Sequence, residues 1–166
     1  MGSNSYKKVI FIMGVSGSGK SYIGRLLARE LSVPFIEGDD HHPTANIDKM
    51  RQGIPLEDSD REPWLGRLHE LAISQLDDGC VISCSALKEK YRKTLSKGIS
   101  PHTELIYLKG SYDLIYERMS NRKGHFMDPK MLQSQFNTLE EPLEAITIDI
   151  AGSPQTIIQK IKSQLA

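Results

Sequence analysis

Surplus charge, cysteine and long apolar runs are all scarce in this chain. Lys plus Arg number 21 and so do Asp plus Glu. That balance leaves no global field for holding a nucleic acid or an anionic membrane, so neither is expected as a partner and any anion site must be local. The first apolar run extends only from Val9 to Met13, too short for a signal-peptide core and far too short to span a bilayer. A cytoplasmic protein is expected. The two cysteines, Cys80 and Cys84, fall in one predicted strand. At about 3.3 Å per residue they stand roughly 13 Å apart, beyond the ~7 Å Cα separation that a disulfide tolerates. They read as small buried strand residues. A chain of 166 residues that is 39% hydrophobic can bury one core and is too short for two ordinary domains, so one domain is expected over residues 1–166.

What is present is a regular alternation. Apolar runs at Val9–Met13, Pro34–Glu37, Val81–Cys84, Leu105–Leu108 and Ile146–Ile150 are separated by helical periodicity. The pattern predicts an α/β fold of three layers, with a five-stranded parallel sheet between helices. Ile23, Leu26, Leu27 and Leu31 form the stripe of a first helix, which packs on the sheet behind the segment that precedes it. A closing helix is signalled by Ser153 as N-cap, Pro154 at the first helical position and Ile157, Ile158, Ile161 and Leu165 as its buried face. Two polar stretches interrupt the alternation. One is an insertion at about 40–79, with Leu65, Leu68, Ala72 and Leu76 in helical register; the other reads as a mobile lid at about 119–130.

Between the first strand and the first helix, Gly14-Val15-Ser16-Gly17-Ser18-Gly19-Lys20-Ser21 matches G-x-x-x-x-G-K-[ST] at every fixed position. Strand, loop and helix in that order bring successive backbone N–H groups and a helix N-terminus onto one anion site. Gly14, Gly17 and Gly19 permit close approach of phosphate oxygens, and Ser16, Ser18 and Tyr22 complete the expected nucleotide-binding set. Lys20 is expected at the β- and γ-phosphates of ATP, and Ser21 at Mg²⁺. A GTPase would need N-K-x-D, which is absent, and the third strand runs into Ser85-Ala86-Leu87-Lys88 without the carboxylate usual in ATPase motors. Both absences point to a kinase of small molecules.

Ligands of open α/β sheets gather at the carboxyl ends of the strands, and the second strand ends in Glu37-Gly38-Asp39-Asp40-His41-His42-Pro43. Phosphoryl transfer to an alcohol needs one carboxylate near the attacking hydroxyl and another to hold a metal-bound water. Asp39 is the candidate for the first role and Glu37 for the second. Consecutive histidines on an extended chain face opposite ways and rarely chelate one ion, so a zinc site is not favoured. His42 reads as a neutral hydrogen-bond partner of a substrate hydroxyl or of Asp39.

These residues resemble the gluconokinases of the P-loop type, relatives of shikimate and adenylate kinases. The likeness spans almost the whole chain: M-G-V-S-G-S-G-K-S at 13–21, G-D-D-H-H-P at 38–43, Asn46 to Met50, Gly53 to Leu56, Asp58, Asp60-Arg61, Pro63-Trp64-Leu65, C-S-A-L-K with Tyr91-Arg92, Gly124-His125-Phe126, and Gln135-Phe136 with Thr138-Leu139-Glu140. The resemblance implies the P-loop nucleoside-triphosphate hydrolase fold, ATP-dependent phosphorylation of D-gluconate to 6-phosphogluconate, Mg²⁺ as cofactor and a homodimer. It implies Lys20, Asp39 and Arg122 as catalytic residues. Gluconate needs cations and polar groups, for which Asp39, His42, Lys49, Arg61, Lys88, Arg92 and His125 are the candidates, with Lys88 or Arg92 preferred for the carboxylate. Arg118 and Arg122, four apart on one helix face, are placed to meet the triphosphate. Glu37 and Tyr22 depart from the residues usual in the family. A kinase of the same fold for another small acid, or a nucleotide-binding protein without transfer, are the alternatives.

Overall fold

The computed structural model describes residues 6–121 and 129–165. Five strands, β1 (Val9–Met13), β2 (Phe35–Glu37), β3 (Cys80–Ser83), β4 (Thr103–Lys109) and β5 (Ile146–Asp149), form one parallel sheet in the order β2-β3-β1-β4-β5. The helices are α1 (Lys20–Leu31), α2 (Thr44–Arg51), α3 (Asp58–Ser74), α4 (Glu89–Ser96), α5 (Tyr112–Ser120), α6 (Pro129–Thr138) and α7 (Pro154–Gln164). Among the described residues no helix is long and apolar enough to cross a membrane.

β1 explains the layering. All its residues are buried, and because side chains alternate along a strand they feed two separate cores. Ile10 and Ile12 join Leu27 of α1 and Ile157 and Ile161 of α7 on one face. Val9, Phe11 and Met13 join Trp64, Leu65 and Leu68 of α3 and Tyr91 and Leu95 of α4 on the other. The five expected strands and the three-layer architecture are all present. Boundaries shift by a residue or two, and Cys84 lies just beyond β3. Both cysteines are free and buried, and burial pushes each thiol up to about 12.

Helix ends follow local chemistry. Ser111 and Ser153 accept the backbone N–H groups of Leu114 and Thr156 with their side chains, capping α5 and α7. At α3, Glu57 and Asp60 form a reciprocal capping box. The insertion consists of a 3₁₀ turn at Gly38–His41 followed by α2 and α3.

The sheet also sets how closely the acidic turn approaches β3. A Cβ on Gly38 would stand 1.9 Å from the carbonyl oxygen of Ser83. No rotamer relieves a backbone clash, so Gly38→Ala is expected to force β2 from β3 and to cost about 1–3 kcal/mol or more. Urea unfolding checks this: a midpoint equal to that of the unaltered chain would mean that the approach is not tight.

Candidate active site

The phosphate loop leaves the sheet at its centre. Gly14 donates its N–H to the Ser85 carbonyl at 3.3 Å, tying the loop to the end of the neighbouring β3. Gly17 and Gly19 have φ of 80° and 94°, left-handed values that turn successive N–H groups inward. Lys20 folds back over the loop and donates from Nζ to the Val15 carbonyl at 3.0 Å. Burial pulls its pKa down, while the charges of Asp39 and Glu37 oppose that fall. Ser18 Oγ is buried without a partner among the described residues. Ser16 meets a residue from the far end of the chain: its N–H donates to Gln135 Oε1 at 2.7 Å, and Gln135 Nε2 donates to Ser16 Oγ at 2.9 Å.

Glu37 is held on both carboxylate oxygens. Ser83 Oγ donates to Oε1 at 2.6 Å, the Ser21 hydroxyl donates to Oε2, and Arg25 lies 3.8 Å from the same oxygen. Ser83 Oγ in turn accepts the N–H of Gly38 at 3.2 Å. The extended chain stops at Glu37, so Asp39 sits on the 3₁₀ turn and not two steps further along a strand. It nevertheless faces the loop lysine. The cleft walls remove solvent and raise its carboxyl above the ordinary range, Lys20 lowers it, and Glu37 and Asp40 raise it further. Its residue surface stays open because the cleft itself is open. A hydroxyl and two carboxylates are hard oxygen donors that suit Mg²⁺ held mainly by waters and phosphates. Among the described residues no three His, Cys, Asp or Glu side chains converge as a metal-binding group.

Two cavities flank the loop. The acceptor-side cleft, of about 250 Å³, is lined by Ser16, Lys20, Asp39, His42, Arg61, Trp64 and Gln135, with Met50, Ile54, Pro55 and Leu56 as an apolar rim. His42 stacks on Trp64, ring centroids 4.0 Å apart and planes within 15°, and the Trp64 indole N–H donates to the Gly38 carbonyl at 2.8 Å. Burial and the nearby Arg61 charge push His42 down to about 4. Arg61 is fixed by donating to the Leu56 carbonyl at 2.8 Å and to the Tyr91 hydroxyl at 3.2 Å. The second cavity, of about 450 Å³, lies beside Gly17, Gly19, Tyr22, Arg118, Asn121 and Pro154. Arg118 is anchored there by donating to the Ile150 carbonyl at 2.7 Å.

Of the other expected substrate residues, three have partners elsewhere. Lys49 pairs with Asp60 at 2.9 Å. Lys88 pairs with Asp58 at 3.2 Å. Asp58 also accepts from Lys90 and Tyr91, and these hydrogen bonds hold its carboxyl well below the usual range. Arg92 donates to the carbonyls of Ala86 at 2.8 Å and Glu140 at 2.9 Å, bracing the turn after β3 against the segment after α6. None of the three lines the acceptor-side cleft. Arg122, His125 and most of the expected lid lie outside the described residues. Ser83, Gln135 and Asn46 carry contacts that composition and spacing did not single out. A serine ending an otherwise apolar strand was a usable signal for the first; Asn46 and Gln135 stand in segments that carry the family resemblance, which assigned them no role.

A strand–loop–helix phosphate cradle, a half-buried loop lysine and a facing carboxylate at a sheet switch point define a P-loop phosphotransferase of the small-molecule kinase class. The sequence profile of the shikimate kinase family matches residues 16–166. A thermosensitive gluconokinase of Escherichia coli is 53% identical over 79% of this chain and 71% of the relative. A thermoresistant gluconokinase of the same organism is 43% identical over 89% and 87% respectively. The crystal structure of a gluconokinase from Sinorhizobium meliloti superposes with a TM-score of 0.88 at 42% identity, covering 95% of this chain and 90% of that one. The chain belongs to the gluconokinase family.

Proposed function

We propose that this chain transfers the terminal phosphoryl group of ATP to a hydroxyl of D-gluconate, giving 6-phospho-D-gluconate. The observation that carries this reading is that Lys20, Asp39 and Arg61 line one cleft beside the phosphate loop. Lys20 and the loop amides hold the triphosphate at one end, and Asp39 accepts the proton of the attacking hydroxyl. Arg61, already oriented by Leu56 and Tyr91, pairs with the carboxylate at the other end. Mg²⁺, when bound with the nucleotide, would supply neutralisation of phosphoryl charge; Ser21, and Glu37 through a water, would hold it. Arg118 and Tyr22 bind the nucleoside side of ATP in the neighbouring cavity. We assign one domain to residues 1–166 on length and hydrophobic content, and a homodimer on the family resemblance alone. Light scattering reads the latter against the 18.6 kDa of one chain.

A coupled ADP assay with gluconate, shikimate and AMP, with and without Mg²⁺, tests the reaction. Turnover is expected with gluconate and Mg²⁺ together, and a gluconate rate no higher than the ATP-only blank would sink the assignment. For the carboxylate, Arg61→Ala is expected to raise the KM for gluconate about 10-fold or more with the KM for ATP little changed. Arg92→Ala, whose guanidinium is occupied by backbone carbonyls, is expected to lower stability instead. An equal rise in gluconate KM from Arg92→Ala would move the carboxylate away from Arg61.

A further inference from the structure

We propose that Asn46 is a positioning residue that locks His42 in its Nε2–H tautomer, so that the acceptor cleft presents a neutral, donor-only imidazole N–H to an oxygen of the substrate. The role for His42 rests on the acceptor site proposed above; the lock itself is read from the side-chain network.

Asn46, on α2, is only 3% exposed. Its Nδ2 contacts two groups, the Asp60 backbone carbonyl at 2.8 Å and His42 Nδ1 at 3.1 Å. A carbonyl oxygen has no hydrogen to give, so the nitrogen end of the amide must face Asp60. The other hydrogen of that NH₂ then points at His42 Nδ1, which must be bare to receive it. A neutral imidazole carries one proton, and here it can reside only on Nε2. Protonating Nδ1 would set two donors head to head beside the buried Asn46 amide.

The plane of the ring is fixed. It is stacked on Trp64, and Trp64 is pinned by its own hydrogen bond to Gly38. The charged groups around it come from three directions: Arg61 of α3 beside the ring, Asp39 and Lys20 across the cleft, and the Lys49–Asp60 pair behind Asn46. Burial and Arg61 both disfavour the imidazolium. His42 therefore neither accepts nor releases a proton near neutrality, and that task is left to Asp39. What His42 offers is a fixed hydrogen for an oxygen lone pair. A hydroxyl or carboxylate oxygen satisfies it, whereas a protonated amine at the same place would oppose it donor to donor, so the site selects hydroxy acids over their amino counterparts.

The test is ¹⁵N NMR of the full chain labelled at histidine, with the His42 resonances identified by their loss in His42→Gln. The unaltered chain is expected to hold the Nε2–H form from about pH 5 to about pH 8. Asn46→Asp replaces the donor with an acceptor, so it is expected to invert the tautomer, raise the pKa of His42 by at least one unit and raise the gluconate KM about 10-fold, with the KM for ATP unchanged. If Asn46→Asp does not fold, Asn46→Ala carries the test: the tautomers should mix and His42 should titrate closer to an ordinary histidine. An Nδ1–H or mixed ring in the unaltered chain would overturn the proposal. So would an Asn46→Ala ring that keeps the original tautomer and pKa. Neither measurement contains gluconate, so a failed acceptor assignment would show separately, as absent gluconate-dependent turnover in the unaltered chain.

Discussion

Asp39→Asn is expected to leave ATP binding intact and to lower gluconate-dependent turnover by about 10²–10⁴-fold, the range a lost general base commonly costs. The substitution preserves shape and removes both the negative charge and the proton-accepting oxygen. Asp39 suits the base role because its environment pulls two ways. The cleft walls and the Glu37 and Asp40 charges raise its carboxyl, and Lys20 restrains it. The result is a more basic group than a free aspartate that still faces the phosphate loop. Calorimetry with a non-hydrolysable ATP analogue and the ADP assay read the two halves of the prediction. Turnover within a few-fold of normal would remove Asp39 from the chemistry.

Lys20→Ala is expected to cut turnover by about 10²–10³-fold and to weaken ATP binding as well, since a lost preorganised charge at a transferring phosphoryl group costs on that order. Lys20 is bent back onto its own loop through the Val15 carbonyl. The ammonium is thus held over the cradle in advance, and little ordering remains when the triphosphate arrives. Lys20→Arg is expected to recover charge but not rate, because a planar guanidinium does not fit where a compact ammonium bonds one carbonyl. A normal kcat for Lys20→Ala would place the stabilising charge elsewhere.

Features encoded locally were legible in the sequence. The phosphate loop has fixed spacing, the strands are short apolar runs, and Ser153 caps its helix where the pattern puts it. The acidic turn was legible as a site but not as a shape, because the 3₁₀ geometry at Gly38–His41 depends on how closely Gly38 meets β3. Least legible were the fates of the basic residues. Lys88 is drawn to Asp58 and Arg92 to the Glu140 carbonyl, 30 and 48 positions away. Arg61 is the one of this group that lines the cleft, because Tyr91 and Leu56 aim it there. Partners so distant leave no periodicity or spacing to read. The contact between Ser16 and Gln135, 119 positions apart, is the extreme case.

The apolar rim of the cleft, Met50, Ile54, Pro55 and Leu56, belongs to the stretch between Pro43 and Trp64, which is braced internally by the bonds of Asn46 and Lys49 to Asp60 and tied to the body through Arg61 and Trp64. One uninterrupted piece of chain thus supplies the apolar rim together with Arg61 and Trp64, while the loop that grips the triphosphate lies outside it. Changes confined to Met50, Ile54, Pro55 and Leu56 would therefore reshape the rim that faces the acid without touching the phosphate loop.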